Sequence, residues 1–166
     1  GIAVGGAAPS AAAEAVLVAA GRVPVVEDLD LSAAGVALDP DGIRVDARMK
    51  TTNPRIFAVG DVAGGPRFTH VCGHQGSLVV RQILFRMPAR FDAARMPRAT
   101  FTAPELGQAG LTAAEARERH GDRVEVHDVP LSGNDRARTE GATDGLFRLV
   151  ADRRGRILGA GAAAPQ

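Results

Sequence analysis

The sequence predicts an α/β chain that passes, beyond residue 95, into an α+β layout with an antiparallel sheet, and three stretches carry that expectation. Residues 51–61, TTNPRIFAVGD, combine a turn, a short apolar run and a carboxylate. After a Gly/Pro loop, Val71, Leu78, Val79, Ile83 and Leu84 fall mostly on one face of a helix. Further on, Thr112-Ala113-Ala114-Glu115 is a capping-box pattern followed by segments that alternate as strands.

Taken in order, residues 1–14 are small and Ala-rich and are expected to end a strand and turn of a preceding domain; their GIAVGG start does not fit the spacing of a GxGxxG fingerprint. Residues 15–19 (AVLVA) form an apolar run of the buried-strand kind, closed by Gly21 and Pro24, which release and redirect the backbone. Residues 29–35 are a connector. Val36-Ala37-Leu38, the Asp39–Gly42 turn and Ile43–Asp46 then predict a hairpin with a half-exposed second strand. Thr52-Asn53-Pro54 is turn chemistry, with Asn53 pushed extended by the proline after it. Ile56–Val59 is too short for a helix, and an uninterrupted apolar run suits a parallel strand covered on both faces.

Gly60 ends that run and Asp61 follows it. Ligands of open α/β sheets bind at the carboxyl ends of strands, where a glycine lets them approach the backbone. An ionised carboxylate only accepts hydrogen bonds, so a hydroxyl-bearing ligand is the natural partner of Asp61, and a helix or turn cap is the competing role. The helix starting near Thr69 and His70 would aim its free N–H groups and positive dipole end at the same place.

Composition narrows the function classes. With 45% hydrophobic and 23% charged residues the 166-residue chain is of ordinary globular type, and its net charge of +1 supplies no field for nucleic acid or a membrane surface. No apolar run approaches a membrane span and no basic leader opens the chain, so a cytoplasmic protein is expected. Cys72 is the single cysteine, which leaves no internal disulfide and no CxxC pair. His70 and His74 stand at i, i+4, a spacing that can serve one metal ion, while polar residues at a cofactor edge are the competing reading and the one preferred.

Pro88 closes the long helix, and residues 87–96 mark the expected boundary between a first domain, 1–95, and a second, 96–166. Residues 97–110 lead to the capped helix, which runs to His120-Gly121. Residues 124–129 alternate as a strand, residues 134–141 are a charged turn, and residues 146–150, 152–155 and 157–158 give strand, turn and strand.

These motifs resemble, in order, those of the pyridine nucleotide-disulfide oxidoreductases such as dihydrolipoamide dehydrogenase, glutathione reductase and mercuric reductase. TTNPRIFAVGD is similar to their second FAD-binding motif, and GDVAGGPRFTHVCGHQG to the segment leading into the flavin-facing helix. The AxGRxP pattern at residues 19–24 resembles the segment that closes their NAD(P)-binding domain. Thr100-Phe101-Thr102, Pro104-Glu105, Gly110-Leu111-Thr112 and Glu115-Ala116 resemble the opening of their dimerisation domain.

The resemblance implies the end of FAD/NAD(P)-binding, Rossmann-like domains followed by a partial α+β dimerisation domain. It implies FAD and NAD(P)H as cofactors, with Gly60 and Asp61 at the ribityl chain, the backbone of Phe68, Thr69 and His70 at the flavin's pyrimidine edge, and Gly21 near the nicotinamide. It further implies a homodimer, and electron flow from the nicotinamide through flavin to a lipoamide- or glutathione-type disulfide or to Hg(II). The family's cysteine pair and His-Glu pair have no counterpart in this sequence, so no catalytic residue is expected here and the chain, as an internal portion of a longer subunit, is expected not to turn over alone. A non-catalytic dimerisation or binding module and a small His-based metal-binding protein are the alternative readings.

Overall fold

The computed structural model describes residues 2–3 and 12–165, and the expectation for residues 1–14 falls largely outside them. Two short strands, β1 (Ile2–Ala3) and β2 (Ala12–Ala13), pair antiparallel. Next comes the hairpin of β3 (Leu38–Asp39) and β4 (Gly42–Ile43), shorter than residues 36–46 suggest and held from outside by Arg44, whose Nε and terminal nitrogen donate to Asp39 at 2.8 and 2.6 Å. Val36, Ile43 and Ala58 form the core of this region, with Leu31, Val45, Ile56 and Val62 against them.

The turn at residues 51–55 forms as its residue types predict, and its polar side chains dock it onto the preceding connector. Thr52 Oγ1 donates to the Gly35 carbonyl and accepts from Ala37 N–H, both at 2.8 Å, and Asn53 Nδ2 donates to the Ala34 carbonyl at 2.7 Å. Two strand expectations fail. Ile56–Val59 makes a single antiparallel bridge, Phe57 to Lys50, and no strand runs parallel to it among the described residues. Its N–H groups find other acceptors: Ile56 donates to Asn53 O and Ala58 to Met49 O. Residues 15–19 are irregular and open to solvent, Leu17 at 90% and Val18 at 82% exposure. An apolar run becomes a strand only where a neighbour completes its ladder.

Helix α1 (Thr69–Phe85) begins where the periodicity places it. Its inner stripe is Val71, Gln75 and Leu78, whereas Ile83 and Leu84 near its end are 56% and 69% exposed. Arg86, in the left-handed conformation, closes it. No helix among the described residues is long and apolar enough to cross a membrane.

Five antiparallel strands build the second region: β5 (Arg98–Thr100), β6 (Glu105–Gly110), β7 (Val124–Pro130), β8 (Leu146–Asp152) and β9 (Ile157–Ala164), in the order β5-β6-β9-β8-β7. Helix α2 (Ala113–His120) carries the complete capping box between Thr112 and Glu115 and packs Ala116 against Leu111 and Val150. The charged turn at 134–141 contains a short helix, α3 (Asp135–Glu140), capped by Asn134 and ended by left-handed Gly141. In the middle of the sheet, β9 reads ILGAGAAA. Its small residues let Leu111 lie directly over Gly159, whose Cβ position falls on the Leu111 backbone. Because side chains alternate across a strand, Phe147 and Leu149 point away from the α2 face that Val150 joins, and they remain 48% and 37% exposed.

Candidate functional site: a ligand cradle at Gly60–Asp61

Gly60 to Ala63 form one turn of 3₁₀ helix immediately after the extended Val59. Gly60 has φ of +78°, and a Cβ there would stand 2.9 Å from Cys72 Sγ on α1, so both backbone conformation and helix contact select glycine. The buried Gly60 N–H donates to Gln75 Oε1 at 2.7 Å. This bond ties the turn to the helix, with Gln75 only 1% exposed. Replacing Gln75 by leucine is expected to lower stability by about 1–3 kcal/mol, since the Gly60 N–H would be left buried without an acceptor. Denaturant unfolding of the variant measures it, and an unchanged midpoint would contradict the role.

Asp61 sits on the turn with its carboxylate part exposed, and its only charged partner among the described residues is Arg22, 3.5 Å away. Arg22 follows Gly21, which has φ of +98°. Arg67 closes the group. Its guanidinium donates to the carbonyls of Arg22 at 2.5 Å and Asp41 at 3.2 Å, while its Nε is buried with no hydrogen-bond partner. Arg22 therefore meets both Asp61 and Arg67, although it precedes the latter by 45 residues.

Phe68 is the extended N-cap of α1 and supplies no side-chain cap; its carbonyl accepts from Val71 and Cys72 N–H. Thr69 and His70 open the helix, and the Phe68 and His70 rings stack at 5.4 Å with 15° between their planes. His70 Nε2 also lies 2.8 Å from the Pro97 carbonyl, and the His74 ring tilts against Phe91. The two histidines are thus engaged with different partners, and no group of three or more His, Cys, Asp or Glu side chains able to hold a metal occurs among the described residues. Cys72 is exposed.

Of the predicted residues, Gly60 is buried in the turn that Asp61 continues, Phe68, Thr69 and His70 form the start of α1, and the neighbour of Gly21, Arg22, reaches Asp61. Gln75 and Arg67 were not anticipated. A glutamine inside the apolar stripe, four residues after Val71, was a visible signal for the first; nothing local marks Arg67, whose partners are 26 and 45 residues away.

A glycine turn bearing a part-exposed carboxylate thus leads into a long helix, and a five-stranded antiparallel sheet follows it. The chain belongs to the pyridine nucleotide-disulfide oxidoreductase family: residues 4–76 match the family described as "Pyridine nucleotide-disulphide oxidoreductase" and residues 96–166 its dimerisation domain. It is 39% identical over 150 residues to a mercuric reductase of Bacillus cereus, covering 89% of this chain and 24% of that protein. To a dihydrolipoyl dehydrogenase of Halobacterium salinarum it is 39% identical over 155 residues, covering 92% of this chain and 32% of that one. Among solved structures, the HOCl-induced flavoprotein disulfide reductase RclA from Escherichia coli superposes with a TM-score of 0.80 at 32% identity, covering 99% of this chain and 38% of that one. The chain thus spans between a quarter and two fifths of the length of these relatives.

Proposed function

We propose that this chain is the flavin-cradling and subunit-pairing part of a FAD-dependent, NAD(P)-linked oxidoreductase that passes electrons to a disulfide or a metal ion. In this reading residues 1–95 complete the nucleotide-binding region and residues 96–166 begin the dimerisation domain, through which two copies form a homodimer. The observation that carries it is the anchored Gly60–Asp61 turn, with the acceptor carboxylate half open and met by Arg22, whose carbonyl takes Arg67, the Nε of Arg67 being buried without a partner. Those residues fit a ligand that offers both hydroxyl donors and an acceptor, as FAD does.

Flavin, when bound, supplies the two-electron transfer between nicotinamide and acceptor. The chain's own residues hold and orient. Asp61 would accept from the ribityl hydroxyls, the helix N-terminus at Phe68, Thr69 and His70 would present N–H groups to an electron-rich ring edge, and Gly21 would leave room for the nicotinamide. The relatives' names span Hg(II), dihydrolipoyl and disulfide substrates. The mercuric and disulfide reductases support the acceptor class stated here, while the dihydrolipoyl dehydrogenase is named for a dithiol donor, the same exchange in reverse.

Asp61→Ala in the flavin-loaded protein is expected to weaken FAD retention about tenfold, the loss of roughly one charge-assisted hydrogen bond. The ratio of flavin to protein absorbance after gel filtration measures it. An unchanged ratio would remove Asp61 from the cradle.

A further inference from the structure

We infer that the turn between β8 and β9, together with the end of α2, is a binding site for a phosphoryl dianion carried by a small molecule. A cavity of about 510 Å³ opens there, lined by His120, Arg123, Asp152, Arg153, Arg154 and Arg156. Two segments some thirty residues apart meet in it: Arg153 N–H donates to the Arg123 carbonyl at 3.1 Å, and Arg123 Nε donates to the His120 carbonyl at 3.2 Å.

Asp152 is the one carboxylate in the lining, and it faces its own turn. Its Oδ1 accepts the N–H groups of Arg154 at 2.9 Å and Arg156 at 3.0 Å, and its Oδ2 lies 3.4 Å from Arg156 Nε. The Arg156 N–H bond, aided by that of Arg154, holds the Asp152 carboxyl below the usual carboxylate range. Arg153 and Arg154 pair with no carboxylate among the described residues. Four guanidiniums therefore share one cavity with a single, already engaged anion.

An arginine run on a β-turn is often only a solvated tip. Here a second segment supplies Arg123 from across the cavity, and backbone bonds fix the spacing of the two. Guanidinium forks match tetrahedral oxyanions bidentately, and two negative charges answer Arg123, Arg153 and Arg154, which no carboxylate among the described residues compensates, better than one. The side chains are exposed, so the affinity is modest and falls with salt.

Inorganic phosphate, kept above its second pKa so that it is the dianion, is titrated calorimetrically into the full chain as the probe. Saturable one-to-one binding is expected, weaker at 150 than at about 50 mM salt, with Arg153→Gln/Arg154→Gln about tenfold weaker and Arg90→Gln unchanged. The Nε–H resonances of Arg153 and Arg154 should move on addition, which reads the site directly in the unaltered protein. Equal affinity in the double variant, unmoved resonances, or binding of a single-stranded oligonucleotide without binding of phosphate would each overturn the assignment.

Discussion

Gly159→Ala is expected to destabilise the second region by about 3 kcal/mol or more, at or above the top of the range for an overpacked core. Gly159 is buried in β9, and its backbone is of a kind any residue adopts, so the cost is steric alone. A methyl there would collide with the Leu111 carbonyl oxygen and stand 2.6 Å from Leu111 N. Backbone atoms cannot rotate aside as a side chain does. Leu111 N–H also donates to the neighbouring Leu158 carbonyl at 3.0 Å, and Leu111 packs with Ala116 and Val150, so yielding would separate α2 from the sheet. Gly133→Ala is the control, because no atom lies within 4 Å of that Cβ position. Thermal unfolding followed by circular dichroism compares the two. A Gly159→Ala midpoint equal to that of the parent would contradict the packing described here.

Phe147→Asp/Leu149→Asp is expected to abolish self-association. These residues lie two apart on β8 and share the sheet face opposite Val150 and α2. In register beside them on β9 stand Ala162 and Ala160, which extend a low, apolar surface across the sheet, and Val129 borders it from β7. A second copy is the cover proposed for this surface, on the strength of the dimerisation-domain match. Burying two carboxylates in such a contact without partners costs several kcal/mol each, in rough terms, which exceeds what a modest interface withstands. Sedimentation or light scattering over a concentration series checks the result. Persistence of the dimer in the double variant would move the contact elsewhere.

The elements that sequence made legible are those whose causes are local. Helix α1 followed from its apolar recurrence, α2 from its capping box, and the hairpin from the Asp39–Gly42 turn. The short helix α3 carried its own signals, an Asn N-cap and a terminal Gly, yet its charges suggested only a turn. Ile56–Val59 failed as a strand because a ladder depends on a neighbour, and no residue in the run encodes one. Most of β9 escaped notice, since alanines and glycines carry neither alternation nor β propensity; they are there for what crosses them. For the candidate site, Gly60, Asp61 and the helix start were legible as one motif. The approach of Arg22 and Arg67 was not, because it is made by tertiary closure.

The segment after α1 is fastened at several points. Phe91 N–H donates to the Ala47 carbonyl at 2.7 Å, its ring meets His74, and the Pro97 carbonyl lies against His70 at the head of the helix. A free tether lets its passenger sample a volume that grows with the number of unrestrained residues, and so dilutes it. Pinned at both Phe91 and Pro97, this one leaves almost no slack. The strand that starts at Arg98 is therefore delivered to the second region at a high effective concentration and in a set direction.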